Sequence, residues 1–404
     1  MSVALRIPPL PRIAVLALAI PIALFLAWRV VVVGMDALAE RNLAAAAPAN
    51  APTDAASEAS LRARLARNPA DTSALLLLAL ELERQRRRDE ADRAMRTAVR
   101  LAPADPQFLI LAAGYFLRTG AEAEALATLR RAADASPGET TGQVWPVFSA
   151  ALASGRHRGF FDALARENPS WWPGFFDYAC ASAANAGAVH AVYAARVAAD
   201  VGTPGERRCL VERLQRDGLW PDAYLVWLSG LPLEQRQRVG YVFNGGFEEP
   251  LSNSGFDWRI PVQDAAVVTA EPGAGTAGSV LNVSFVNQRY AGPPVYQYLL
   301  LAPGRYRLQG RARSDLVAWL GLQWGVYCPN GAGPEKQLAH TGALAGSMPW
   351  EEFGADFSVP SNCPAQILRL ELANPKQGAS VPGSVAIKLK GSVSFDDVGV
   401  RIVD

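Results

Sequence analysis

Residues 242–250 read VFNGGFEEP, and residues 393–399, near the end of the sequence, read VSFDDVG. Asn beside Gly favours a turn, because both residues tolerate backbone conformations that others avoid. Short β-rich stretches with alternating apolar positions fill the interval between the two phrases, for example SVLNVSFV at 279–286 and AQILRLELA at 365–373. Eight or nine such stretches in residues 241–404 predict a β-sandwich of the jelly-roll type.

The first part of the sequence has a helical period instead. Pro69, Pro103 and Pro137 are spaced 34 residues apart, a spacing that is typical of a solenoid of helical hairpins. Apolar residues recur at equivalent helical positions between these prolines: Leu75, Leu78, Ala79, Leu82, Ala91, Met95 and Ala98, then Leu109, Ala112, Ala113, Phe116, Ala125, Leu129 and Ala132. Because the small residues let two helices approach closely, we expect a helical repeat domain over residues 57–240, with degenerate repeats after Thr140.

The two repeats resemble the tetratricopeptide family, although Leu75 and Ala79 replace its usual aromatic residue and glycine. The resemblance implies that the first helix of each hairpin lines a concave groove that binds peptides or protein surfaces. It places these residues in the groove: Ser73, Leu76, Leu80, Glu83, Arg84, Gln107, Ile110, Gly114, Leu117 and Arg118. The alternative is that the N-terminal anchor or the β domain covers the groove, which its apolar members permit.

An apolar segment precedes the repeats. Residues 13–33 carry only Arg29 as a charge, and a helix of that length spans about 31 Å, enough for a hydrocarbon core. Arg6 and Arg12 lie before it, so the positive-inside rule predicts a cytoplasmic segment 1–12, a transmembrane helix 13–33, a tether 34–56 and a periplasmic remainder, anchored in a bacterial inner membrane. The alternative is a cleaved signal peptide, since small residues follow the apolar run.

The β-rich part resembles the carbohydrate-binding modules of families 4, 9 and 22, within the galactose-binding-like superfamily. The resemblance rests on NGGFEE at 244–249, Trp258, VYQYLLLAPGRYRLQGRAR at 295–313 and FDDVGV at 395–400. It implies that acids from the first and last strands meet and hold a structural calcium ion, here Glu248 with Asp396 or Asp397. Calcium prefers six to eight oxygen ligands, so carboxylates suit it. The alternative is that Asn244 and Gly245 shape a turn and that the acids are solvated edge charges.

Alternation in LVAWLGLQWGVYC at 316–328 predicts which side chains face a ligand. Leu316, Leu320, Leu322, Trp324 and Val326 form one face, and we assign them to the core, as we do Tyr306 and Leu308. Sugars need aromatic rings to stack on and donors for their hydroxyl groups. The opposite face supplies both, and the predicted sugar-binding residues are Trp319, Gln323, Tyr327, Tyr296, Tyr298, Arg307, Gln309 and Arg311. The alternative is that these aromatic residues pack against the helical repeats or inside the core.

Two of the four cysteines predict a disulfide bond. Cys328 and Cys363 each lie beside a proline, in loops of a domain that we place outside the cytoplasm, where disulfides persist. Cys180 and Cys209 lie in separate predicted helices, where buried thiols and a bridge are equally compatible with the sequence.

The net charge and the motifs of the sequence disfavour several classes of function. The formal net charge is +1, from 39 basic and 38 acidic residues, and it gives no field that would favour nucleic acid. No nucleophile elbow, phosphate loop or dinucleotide fingerprint is present, so we expect no enzyme and no organic cofactor. The sequence thus predicts a scaffold that docks envelope proteins through its repeats and engages a glycan through its sandwich, in cell-surface polysaccharide assembly or export. The alternative is a purely structural scaffold without sugar binding.

Overall fold

A computed structural model describes residues 57–102, 104–273, 278–290, 292–318, 320–329, 335–373 and 388–403. The chain divides into two compact units, Met1–Ala195 and Arg196–Asp404. The predicted cytoplasmic segment 1–12, transmembrane helix 13–33 and tether 34–56 lie outside the described residues. Among the helices of the described ranges, none is long and apolar enough to cross a membrane.

The first unit is helical. Its helices are α1 Glu58–Arg67, α2 Thr72–Arg84, α3 Arg88–Leu101, α4 Pro106–Thr119, α5 Glu122–Ala135, α6 Pro137–Ser154, α7 Arg158–Glu167, α8 Trp172–Ser182 and α9 Ala186–Ala198, the last of which ends just beyond the division between the units.

Local sequence explains where these helices begin and end. The Asp71 carboxylate accepts a hydrogen bond from the Ala74 N–H at the start of α2, and Asp105 caps α4 in the same way. Pro106 occupies the first turn of α4, where no N–H is needed, and Gly120 ends that helix in a left-handed conformation. The turns between hairpins are therefore encoded by short polar, proline and glycine signals.

The repeated apolar positions form the core of the hairpins. Ala79, Ala91 and Ala98 are fully buried between α2 and α3, and Ala113, Ala125 and Ala132 are fully buried at the equivalent places in α4 and α5. The larger members of the pattern are buried as well, with Leu75 the most accessible at 8%. The packing of residues 72–135 agrees with the predicted period of 34 residues.

The described residues of the second unit form three further helices and two sheets. The helices are α10 Pro204–Arg216, α11 Trp220–Ser229 and α12 Leu233–Gln237. The strands are β1 Ala266–Pro272, β2 Ser279–Arg289, β3 Tyr296–Leu299, β4 Gly304–Leu316, β5 Leu322–Cys328, β6 Lys336–His340, β7 Gly346–Val359, β8 Gln366–Leu372 and β9 Lys388–Ile402. One sheet has the order β1-β2-β9-β4-β7 and the other β3-β8-β5-β6, and all their strand pairs are antiparallel. The C-terminal part is thus a β-sandwich, as predicted.

Helices α10 to α12 belong to the same compact unit as the strands, whereas the sequence analysis assigned residues up to 240 to the helical repeat domain. Aromatic contacts explain the difference. The Trp227 ring of α11 lies 5.1 Å from Phe243 and 5.7 Å from Phe256, centroid to centroid. Gln215 of α10 also donates a hydrogen bond of 3.0 Å to the Gly255 carbonyl. The last helices therefore pack on the sandwich, although the sequence predicted them as degenerate repeats.

The sandwich core lies between the two sheets. Leu308 of β4, Trp324 of β5 and Phe395 of β9 are fully buried there, and the Trp324 ring lies 5.1 Å from the Phe395 ring. The residues that alternation assigned to the core are all buried: Tyr306, Leu308, Leu316, Leu320, Leu322, Trp324 and Val326. That part of the pattern is confirmed.

Candidate functional site

The predicted sugar-binding residues do not share one face. Tyr296 and Tyr298 on β3, with Gln323 and Tyr327 on β5, lie on the outer side of the four-stranded sheet, whereas Arg307, Gln309 and Arg311 lie on β4 of the five-stranded sheet. Trp319 lies outside the described residues. Because β4 ends at Leu316 and β5 begins at Leu322, the single alternating run seen in the sequence is two strands in different sheets.

The β4 side chains are already engaged within their own sheet. Arg307 forms an ion pair with Asp356 at 2.9 Å. Gln309 accepts a hydrogen bond of 2.8 Å from the Arg401 Nε atom. Arg311 contacts Asp396 at 2.6 Å. Each of these three β4 side chains is therefore paired with a side chain of a neighbouring strand.

The outer side of the four-stranded sheet carries a connected network. We call it the polar face and define it by Gln323, Tyr327, Glu335, Gln337, Arg369 and Glu371. The Glu371 carboxylate is its centre: Oε1 accepts hydrogen bonds from the Tyr327 hydroxyl and, at 3.3 Å, from Gln323 Nε2, and Oε2 accepts one of 2.8 Å from Arg369 Nε.

Arg369 joins the aromatic and charged parts of the polar face. Its guanidinium carbon lies 3.8 Å from the centroid of the Tyr327 ring, a cation–π distance. One of its terminal nitrogens contacts the Glu335 carboxylate. Gln337 completes the network by donating a hydrogen bond of 2.9 Å to the Tyr327 hydroxyl. The face thus combines a ring, a guanidinium, two carboxylates and two amides in one patch.

Strand register brings these residues together. Gln323 stands opposite Glu371 and Gly325 opposite Arg369 in the β5–β8 pair, while Tyr327 stands opposite Gln337 in the β5–β6 pair. Directly opposed residues project from the same side of a sheet. Gly325 is needed at the centre, because a Cβ atom there would lie 2.5 Å from the Tyr327 ring and 2.7 Å from the Glu371 carboxylate. A glycine therefore allows the two larger groups to meet.

Burial corrects part of the sequence prediction. Gln323 is 5% exposed and Tyr327 8% exposed, so neither is an open platform for a sugar ring. Burial, and next the hydrogen bond to Glu371, raise the pKa of Tyr327 above its usual value. The accessible groups are instead the Arg369 side chain, 23% exposed, and Glu335, 37% exposed, together with the exposed Gln337.

The two β3 tyrosines lie beside the polar face. Tyr296 stands opposite Arg369 in the β3–β8 pair, and its ring meets Tyr298 edge-on at 5.6 Å. Tyr298 in turn packs 5.1 Å from Trp220 of α11. Burial, with Tyr296 as the next contribution, raises the pKa of Tyr298 to about 12. Tyr298 therefore packs against a helix, which is close to the alternative that we gave for the predicted sugar-binding aromatic residues.

Sequence reasoning missed Glu335, Gln337, Arg369 and Glu371. A signal was present for two of them: in QILRLEL, Arg369 and Glu371 alternate with buried leucines, which places both on the outer side of a half-buried strand. The sequence could not indicate that β8 pairs with β5 rather than with β4, and that pairing decides which candidates the two residues join.

The predicted calcium ligands have other partners in the structure. Arg311 contacts Asp396 at 2.6 Å and Asp397 at 2.9 Å, and Glu248 accepts a hydrogen bond of 2.9 Å from the Ser279 N–H. In the part of the chain that the structure describes, no group of three or more His, Cys, Asp or Glu side chains could hold a metal ion. A guanidinium beside both acids does not favour a cation, and the structure does not test the calcium binding that the sequence predicts.

The disulfide prediction is confirmed. Cys328, at the end of β5, is bonded to Cys363, just before β8, and their Cα atoms are 5.6 Å apart. The bond therefore links two strands that are also hydrogen-bonded neighbours in the four-stranded sheet. Of the other two cysteines, Cys180 is buried and Cys209 is half-buried.

The predicted groove residues of the first unit lie on α2 and α4, but they are not equally accessible. Ser73, Arg84 and Gln107 are exposed, while Ile110 is only 3% exposed and Gly114 is buried. Leu76, Leu80 and Leu117 are half-buried. Glu83 and Arg118 form an ion pair of 3.0 Å between the two helices. Ile110 and Gly114 thus serve packing, and the polar residues leave a mixed surface around half-buried leucines.

Comparisons with known proteins fall on the C-terminal β part. No family model and no curated protein matches the chain. Similar solved structures include a carbohydrate-binding module of family 4 (14% identity, 40% of this chain and 99% of that one, TM-score 0.29), a family 22 xylan-binding domain from Paenibacillus barcinonensis (16%, 40% and 92%, 0.28) and a family 61 module in complex with β-1,4-galactotriose (15%, 41% and 99%, 0.28). Likenesses at this level assign neither a family nor a ligand to this chain.

Proposed function

We propose that the protein is a non-catalytic scaffold whose β-sandwich binds a glycan through the polar face. The observation that carries the proposal is the grouping of accessible Arg369, Glu335 and Gln337 around the buried Tyr327 and the half-buried Glu371 carboxylate. Such donors and acceptors can take the hydrogen bonds of sugar hydroxyl groups, and Tyr296 beside them offers an aromatic surface.

The polar face is prepared for binding because its inner groups are fixed. Glu371 accepts hydrogen bonds on both of its oxygens from three different side chains, so it holds Tyr327 and Arg369 in place before any ligand arrives. Fixed side chains lose little conformational entropy on binding. The outer groups can then contact a ligand without rearranging the sheet.

We infer that residues 13–33 anchor the protein in a bacterial inner membrane, that the bulk is periplasmic, and that the hairpins are of the tetratricopeptide kind and dock envelope proteins. The half-buried leucines on α2 and α4, framed by exposed polar residues, support a protein-docking role. Such a molecule suits the assembly or export of a cell-surface polysaccharide.

A second candidate function is a purely structural scaffold. The observation that favours it is the burial of Gln323 and Tyr327, whose polar groups are satisfied by other side chains of the sheet. An array of neutral and acidic glycans, probed with the full-length protein in detergent, separates the two functions. Retention of a glycan supports the first, and its absence across the array leaves only the structural role.

A further inference from the structure

A cavity of about 380 Å³ lies in the second unit, between α11, residues 239–243 and β3. Small-molecule sites typically have volumes of roughly 300–1,000 Å³. Aromatic rings dominate its lining: Tyr224, Trp227, Tyr241, Phe243, Phe256 and Tyr298. None of the described residues that line it carries a charge. This composition disfavours an ionic ligand and suits an uncharged ring-shaped one.

The walls of the cavity are held in place by the surrounding packing. Trp227 meets Phe243 edge-on, with the ring planes at 90°, and Tyr224 meets Phe256 at 84°. Gln297 fixes the opposite wall, because its amide bonds both the N–H and the carbonyl of Phe243, at 3.0 and 2.9 Å. The cavity is therefore a formed feature of the fold, lined by both ring edges and ring faces.

Tyr224 supplies a polar group to this apolar space. Within the described ranges its hydroxyl makes no hydrogen bond, and burial alone raises its pKa above the usual value. A phenolic hydroxyl can donate and accept, so it matches a ligand that carries hydroxyl groups. A hydroxyl that has no hydrogen-bond partner and is partly shielded from water gains more free energy from a hydrogen bond to such a ligand than a solvated hydroxyl does.

Tyr298 connects the cavity with the polar face. It lines the cavity, and it also lies on the outer side of β3, where its ring contacts Tyr296, the residue opposite Arg369. We infer that the cavity is a subsite for uncharged sugar residues of the glycan that the polar face binds. This inference rests on the proposed function, and it makes helix α11 part of the recognition site.

The test uses the full-length protein and neutral oligosaccharides, with xylohexaose and β-1,4-galactotriose among them, in calorimetric titrations. We expect Tyr224→Phe to weaken binding of the retained oligosaccharide by about 3–10-fold, the effect of losing one hydrogen bond. Its melting temperature should be unchanged or higher, because no protein hydrogen bond is lost; a lower one would point to a structural role instead. Tyr178→Phe, which removes a hydroxyl from α8, should bind as the wild type does.

The outcomes separate the inference from the proposed function. If Tyr224→Phe binds as tightly as the wild type while Gln337→Ala binds weakly, the cavity is not a subsite and the polar face still is. If the wild type binds no neutral oligosaccharide but retains an acidic glycan, the cavity inference is wrong and the proposed function stands; if it binds neither class, both are wrong. Weaker binding by Tyr224→Phe with an undiminished melting temperature supports the subsite.

Discussion

The backbone N–H of Val398 donates a hydrogen bond of 2.9 Å to the carbonyl oxygen of Gly245. Val398 lies on the last strand, β9, and Gly245 lies in the Asn-Gly-Gly phrase that precedes β1. A Cβ atom at Gly245 would lie 1.9 Å from the Val398 carbonyl oxygen, which is a steric clash. Glycine has no Cβ atom and so fits there. The two ends of the sandwich are thus joined through the main chain, at a position where no side chain fits.

Gly245→Ala should destabilise the protein, because the added methyl group must displace the β9 backbone. We expect the free energy of unfolding to fall by about 1–3 kcal/mol, as for other overpacked sites. Urea unfolding followed by tryptophan fluorescence measures the change. Gly246→Ala is the matched control, since no atom lies within 4 Å of a Cβ built there. Equal effects of the two substitutions would show that the Gly245–Val398 contact is not a tight one.

Loss of the Cys328–Cys363 bond should also destabilise the sandwich. The bond closes a loop with a sequence separation of 35 residues, and a loop of that length corresponds to about 3–4 kcal/mol in the chain-entropy model. The Cys328→Ala and Cys363→Ala double variant should therefore melt well below the wild type. Its circular dichroism melting curve checks this, and an unchanged melting temperature would mean that sheet pairing alone holds β5 beside β8.

Alkaline pH should unfold the second unit. Burial raises the pKa of Tyr290, of Tyr327 and, to about 12, of Tyr298, while a tyrosine in the unfolded chain titrates near about 10. The unfolded chain therefore loses these protons first, so stability is intact below about pH 10 and falls as the pH rises toward about 12.

Tyr298→Phe removes one of the titrating groups. The fall in unfolding free energy should then be less steep by up to about 1.4 kcal/mol per pH unit. Denaturant titrations at a series of pH values between neutral and strongly alkaline measure the slope. An identical slope in the variant and the wild type would contradict a raised Tyr298 pKa.

Calcium should leave the melting temperature unchanged. The Arg311 guanidinium contacts both Asp396 and Asp397, so a cation at this place would have to displace it. Melting curves of the full-length protein in calcium and in EDTA test this. A higher melting temperature in calcium would overturn our expectation and support the sequence-based prediction of a calcium site with Glu248.

Much of the fold follows from the sequence because it depends on local patterns. Alternation along β4 places Tyr306 and Leu308 in the core, and the spacing of Ala79, Ala91 and Ala98 marks a helical hairpin. These patterns indicate which side chains are buried, and that information is contained in the periodicity of a single segment.

The candidate site was predictable only in part, because it depends on which strands pair. Tyr327 and Arg307 both alternate with core residues, but they belong to different sheets and so lie on opposite outer sides of the sandwich. The carboxylate that engages Tyr327 comes from Glu371, 44 residues later. Alternation gives the face of a residue, whereas long-range pairing decides its neighbours.

Binding of a glycan by the full-length protein before and after Gln337→Ala tests the central claim most directly, with Gln309→Ala as the matched control on the other sheet. Affinity electrophoresis uses a gel that contains the polysaccharide identified by the glycan array. We predict that the wild type and Gln309→Ala bind it, and that Gln337→Ala binds it about 3–10-fold more weakly. Equal retention of all three proteins, or of none, would contradict glycan binding by the polar face.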